Sequence, residues 1–284
     1  MARKHSTARL LLDTSAVVHQ LHGHTLQQTA VREAVAGAEL LVPVFIRMEY
    51  LRGVILNLIE MWCLIRESVS VQDAFIDWSQ KVRQERKLKV ILMTSPNWLG
   101  EHEDWRSKDL TLRRLGDLIL RMIRDFDEAY LDPPDDPLAC VLGRLDIPRR
   151  GYDDDLLLDF YQRFTAVQEG VPDCRLCEFR KAQHQRLRRR QIDLISPDVR
   201  SIFASNPGFV RQSEQAEEAA NTKARAPSCG WCERLGDTMI ALQVERGASV
   251  VTADRAFVPL GELLGRPVVL LPSLAELKRR MKGS

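Results

Sequence analysis

The period of the hydrophobic and polar positions changes several times along this chain, and each change marks an element. Arg9-Leu10-Leu11-Leu12 is a short apolar run ending on Asp13, Thr14 and Ser15, which reads as a buried strand with an acid at its carboxyl end. A helix follows from near Ser15, and a second spans Thr25 to Ala36. Glu39 to Val44 reads as the next strand, closed by Pro43. From Phe45 to Arg52 the spacing turns helical, with Phe45, Met48 and Leu51 facing inward. Much later, Met239, Ile240, Leu242 and Val244 form the apolar side of a helix that Gly247 stops. Ala248 to Thr252 is then a β-branched buried strand with Asp254 just beyond it, and Pro267 to Pro272 is a last strand before a helix opened by Ser273. Between these two ends, from Leu58 to about Pro227, the pattern is almost entirely helical, notably over Val71 to Lys87, Lys108 to Leu131 and Asp153 to Val167. Leu88 to Thr94 suits either a strand or a helix end. Strands and helices alternating at both ends of the chain predict an α/β fold with a mostly parallel sheet and a large, mainly helical insert.

Open parallel sheets bind ligands at the carboxyl ends of their strands. Asp13 and Asp254 stand at two such ends. Glu49 falls in the second turn of a helix that starts at a strand's carboxyl end, so its side chain can lean back toward that edge. Asp237 opens the helix that runs antiparallel to the following strand and so returns to the same rim as Asp254. Each acid has an ordinary alternative: a helix cap for Asp13 and Asp237, a turn residue for Asp254, a solvent-facing position for Glu49. Taken together, four carboxylates on one edge would repel one another unless a cation sat between them, and all-oxygen donors suit Mg2+ or Mn2+. Such ions activate water and neutralise a phosphodiester in hydrolysis.

Composition adds less. With 284 residues, 45% of them hydrophobic, the chain is long enough to bury a substantial core. The net charge of +2 is uninformative as a sum, but Arg180, Lys181, Arg186, Arg188, Arg189 and Arg190 concentrate positive charge in one stretch. That stretch is either a solvated helix face or a patch for a nucleic-acid backbone. No apolar run is long enough to span a bilayer, which argues against a membrane partner. Four of the six cysteines form two CxxC knuckles, Cys174/Cys177 and Cys229/Cys232, a pattern for a structural Zn2+ held by four thiolates. Buried free thiols and a redox pair are the rival uses, and no secretory signal precedes the cysteines, so a reducing cytoplasmic setting is expected. His19, His22 and His24 lie close together but lack partners at zinc-like spacing, and are expected on a helix surface.

The segments LLLDTSAVV, FIRMEYLRG and GDTMIALQVERGASVVTADRAF followed by VVLLP resemble the PIN-domain family of metal-dependent nucleases, over roughly residues 8–57 and 233–284. The resemblance implies a parallel-sheet α/β/α sandwich with Asp13, Glu49, Asp237 and Asp254 as Mg2+ or Mn2+ ligands. It also implies that the hydroxyl of Thr252 or Thr14 orients one of them or a bound water. Many members carry a further acid two residues after the last one, where this chain has Ala256, which bears on whether one or two metals are held. Members often cleave single-stranded RNA. The expectation is therefore a discontinuous nuclease core over 1–57 and 233–284, interrupted at 58–232 by a zinc-containing helical insert without a recognised counterpart. Its partner would be single-stranded or structured RNA rather than DNA, and a protein inhibitor or self-association is compatible with it. Two rivals stay open: a catalytically silent PIN fold that binds nucleic acid or protein, and a DNA-cutting defence or repair nuclease.

Overall fold

Leu10, Leu11 and Leu12 are buried one after another, which requires both faces of their strand to be covered. The computed structural model describes residues 8–81, 94–95, 99–100, 106–130, 153–169, 240, 244, 247–255 and 257–283. These form two compact units, divided after Ile46 and again after Val167.

The first unit is built on a four-stranded, wholly parallel sheet in the order β2-β1-β3-β4. Strand β1 (Arg9–Leu12) leads through α1 (Thr14–His22) and α2 (Thr25–Val35) to β2 (Glu39–Leu41), and α3 (Val44–Tyr50) follows. Strand β3 (Ala248–Thr252) lies on the other side of β1, pairing Leu11 with Val250. After it come α8 (Phe257–Leu264), β4 (Val268–Leu270) and α9 (Leu274–Gly283). The two central strands are nearly all buried, whereas the edge strands β2 and β4 have no fully buried residue. Both edges are shorter than the sequence pattern suggests. Pro43, Pro267 and Pro272 flank them, and a proline has no N–H to extend a ladder.

Two glycines fit their places for steric reasons. Gly247 takes φ +85° in the turn that enters β3, a conformation that costs other residues about 1–2 kcal/mol. Gly261 lets α8 lie against the start of β4, since a Cβ there would meet the Arg266 carbonyl oxygen at 2.7 Å. At the far end, Ser273 and Glu276 form a reciprocal cap for α9: the Ser273 N–H donates to Glu276 Oε2 at 2.7 Å and the Glu276 N–H to Ser273 Oγ at 3.3 Å.

The second unit is helical. From Arg47 the chain runs through the end of α3, a π-helical turn at Leu51–Ile55, and α4 (Leu56–Glu67). A π turn displaces the regular carbonyl bonding, and here the Asn57 side chain donates to the Gly53 carbonyl at 2.7 Å. Helices α5 (Val71–Lys81), α6 (Lys108–Ala129) and α7 (Asp154–Glu169) complete it. The spacing of Leu112, Leu115, Ile119, Met122 and Phe126 gives α6 one continuous apolar face, and all five are buried. That face receives Trp62, whose indole N–H donates to the Leu112 carbonyl at 3.2 Å, and Tyr50, whose ring stacks on Phe126 and whose hydroxyl donates to the Met122 carbonyl at 3.1 Å. Arg47 makes a two-point ion pair with Asp127, at 2.6 and 3.0 Å. The Lys108 ammonium closes the carboxyl end of α4 by donating to the carbonyls of Arg66 and Ser68.

Candidate active site

The order of the strands singles out one place on the sheet. From β1 the chain leaves in one direction to reach β2, while β3 flanks β1 on the opposite side, so the connections diverge between β1 and β3. The carboxyl end of such a junction is where α/β sheets leave a crevice for ligands. Asp13 follows β1 at that point, and Thr252 ends β3 beside it. Leu12 is in register with Val251, and the Asp13 N–H donates to the Val251 carbonyl at 3.0 Å, which holds the two strand ends together.

Asp13 is only 3% exposed. Its Oδ1 accepts the Ala16 N–H at 2.8 Å, so it does cap α1, as an isolated Asp in this position would. Its carboxylate also has a second, long-range role. Thr252, fully buried, donates its hydroxyl to Asp13 Oδ2 at 2.8 Å, and Ser15 donates to the same carboxylate at 2.8 and 3.0 Å. Each hydroxyl is also an acceptor: Ser15 Oγ takes the Ala253 N–H and Thr252 Oγ1 takes the Asp254 N–H, both at 2.8 Å. A hydroxyl has a single proton. With the backbone N–H groups donating to them, both hydroxyls turn that proton toward Asp13. The loop after β3 is thus fastened to the start of α1 by two parallel N–H to hydroxyl to carboxylate bridges.

The consequence for Asp254 is positional. Its backbone is fixed by Thr252 while its side chain is exposed, and its carbonyl accepts the Phe257 N–H at 3.2 Å as α8 begins. A buried carboxylate and an exposed one are therefore presented from adjacent strands at one sheet junction. Both offer oxygen donors, the chemistry that hard divalent cations prefer.

Of the expected site residues, the structure brings Asp13, Thr252 and Asp254 together in the first unit. Thr14 is buried at the first position of α1. Glu49 lies half-buried in the second turn of α3, on the part of that helix that belongs to the second unit. Asp237, Ala256, the cysteines Cys174, Cys177, Cys229 and Cys232, and the basic residues Arg180, Lys181, Arg186, Arg188, Arg189 and Arg190 lie outside the described residues. Among the described residues, no three His, Cys, Asp or Glu side chains gather as a metal-holding group. Ser15 is the participant that the sequence pattern did not single out. Its only signal was its place two residues after a strand-end acid, and its partner Ala253 is 238 positions away.

Other reactive groups have structural work. The His24 ring nitrogen Nδ1 accepts the Leu26 N–H and caps α2, while Gln27 accepts the His24 N–H through its oxygen and so presents its amide N–H to His19 Nε2, at 2.9 Å. Burial lowers the pKa of His19, in keeping with that acceptor role. Cys63 is half-buried, and desolvation, aided by Glu67, pushes its thiol pKa up to about 11, which makes it a poor nucleophile. Among the described residues no helix is long and apolar enough to cross a membrane. In comparisons with known proteins, the chain matches no protein-family model, no curated protein and no solved structure.

Proposed function

We propose that this chain is a PIN-like, Mg2+- or Mn2+-dependent nuclease that hydrolyses phosphodiester bonds, with RNA rather than DNA as substrate. The observation that carries this reading is the meeting of Asp13 with Thr252 and Asp254 at the junction between β1 and β3. Asp13 and Asp254 would hold the ion, and the sequence resemblance extends the ligand set to Glu49 and Asp237. When bound, a divalent ion supplies Lewis acidity and charge neutralisation for phosphodiester hydrolysis. The chain's own contribution is positional: Thr252 and Ser15 fix the rotamer of Asp13, and Thr252 fixes the backbone from which Asp254 projects. In the same proposal, Cys174, Cys177, Cys229 and Cys232 bind a structural Zn2+, and the basic stretch from Arg180 to Arg190 contacts the nucleic-acid backbone.

One observation favours the rival, a catalytically silent nucleic-acid or protein binding module. Asp13 already accepts hydrogen bonds from Ala16, Ser15 and Thr252, which suits a purely structural carboxylate. The two readings separate at Asp254. Asp254→Asn retains the backbone bond to Thr252 and alters only an exposed side chain, so the fold is expected to survive while cleavage falls by about 100-fold or more. The measurement is cleavage of labelled single-stranded RNA, single-stranded DNA and duplex in Mn2+ and in EDTA, alongside thermal melting. Equal rates for the parent and the variant would remove the metal mechanism, and no cleavage by the parent would favour the binding module. Asp13→Asn is the poorer probe, because its amide would face the Ser15 and Thr252 protons and would lower stability as well.

A further inference from the structure

Beside the acidic junction lies an open pocket of about 240 Å3, lined by Ala253, Arg255, Leu270 to Ser273, Glu276 and Arg280. Its walls are the loop after β3, the end of β4 and the first turns of α9. We infer that this pocket is a subsite for a backbone phosphate of single-stranded nucleic acid, held by Arg255 and Arg280 and adjusted by Glu276. The inference rests on the nuclease reading for its place in the reaction but not for its binding chemistry.

Three features point to an anion. First, two arginines line the pocket from separate elements, and guanidinium forks match phosphate oxygens. Second, α9 carries Lys278, Arg279, Arg280 and Lys282 against the single acid Glu276, and all four cations are exposed, so the approach to the pocket is positive. Third, Arg255 directly follows Asp254, so a strand gripped here would run past the proposed metal ligands.

The pocket already contains an internal anion that shows how its donors are used. Glu276 accepts the Ser273 N–H and hydroxyl, both at 2.7 Å, and the Arg255 guanidinium at 3.2 Å. Those Ser273 bonds, followed by the nearby arginines, hold its carboxyl below the usual glutamate range. An entering phosphate would share Arg255 with this carboxylate, so Glu276 sets the affinity by competition. Glutamine preserves the reciprocal cap with Ser273 while removing the charge.

The test is binding of a fluorescein-labelled single-stranded oligoribonucleotide to the full chain in EDTA, by anisotropy over a range of salt, with circular dichroism to confirm folding. Arg255→Ala/Arg280→Ala should weaken binding by about tenfold or more and lower the slope of log K against log salt by about 0.7, the value for one lost phosphate contact on a single strand. Glu276→Gln should tighten binding by up to about fivefold. The subsite is refuted if the double variant keeps the parent's affinity and salt slope, as a merely solvated charged face would, or if Glu276→Gln weakens binding. Because no metal or turnover is involved, weakened binding in a protein that never cleaves would retain the subsite and discard the nuclease. Cleavage with unchanged binding would do the reverse.

Discussion

Asp13 and Asp127 are both carboxylates held by several donors, yet the two units satisfy them in opposite ways. In the helical unit Asp127 faces the Arg47 guanidinium, and the opposite charges cancel over a two-point contact. In the sheet unit the hydrogen bonds described to Asp13 come from a backbone N–H and two hydroxyls, all of them neutral donors. An ion pair orients a side chain by opposing its charge, whereas a hydroxyl donor orients it through a neutral hydrogen bond. The first arrangement ties two helices together, and the second ties a strand-end loop to the start of a helix.

Removing one donor from each carboxylate sharpens the contrast. Arg47→Ala strands Asp127, whose side chain is 29% exposed, so the full penalty for a buried orphan charge does not apply and a loss of about 2 kcal/mol is expected in urea unfolding. Arg47→Met combined with Asp127→Leu should recover most of it, because an apolar pair replaces a charge pair. If the double variant is as unstable as the single one, the pair does more than satisfy charge.

A smaller effect is expected at Thr252. Thr252→Val removes one donor from Asp13 and leaves the Asp254 N–H without its acceptor, a cost of about 1–2 kcal/mol. Hydrogen exchange at the Asp254 amide should accelerate with it, while Thr252→Ser, which keeps the hydroxyl, should protect that amide nearly as well as the parent. Equal exchange in all three would mean that the hydroxyl bridge does not hold the loop.

The smallest expected effect concerns His19. Its folded pKa is depressed by burial, so as pH falls below the ordinary histidine value of about 6.5 the unfolded chain takes up the proton first. The neutral ring's contribution is complete above that value and declines as pH drops toward the folded pKa. Replacing His19 with Gln should therefore flatten the stability profile below the ordinary histidine pKa of about 6.5. An unchanged slope would exclude this histidine as its source.

Periodicity and breakers made much of this fold readable. The triple leucine before Asp13, the β-branched run Ala248 to Thr252 and the stop at Gly247 each required only neighbouring residues, and α6 announced itself through a sustained apolar face. Long-range pairing was not readable. Ser15 looks like any early helix residue until β1 is known to lie beside β3, and nothing near Arg47 indicates that its partner is 80 positions downstream. The π-helical turn at Leu51–Ile55 was equally hidden, since its apolar spacing passes for an ordinary helix and only the Asn57 amide on Gly53 marks the displaced bonding. The candidate site was therefore legible in part: Asp13, Asp254 and the hydroxyl of Thr252 could be named from the sequence, whereas Ser15 and the paired bridges it shares in could not.

The 239 positions between Asp13 and Thr252 also have a temporal meaning. A ribosome adding about 5–20 residues per second needs roughly 12–48 s to pass from one to the other. During that interval β1 has emerged without the neighbour that completes its central pairing, and its terminal aspartate lacks the hydroxyl that locks it. The junction is therefore completed late in synthesis, by the arrival of a strand encoded far downstream.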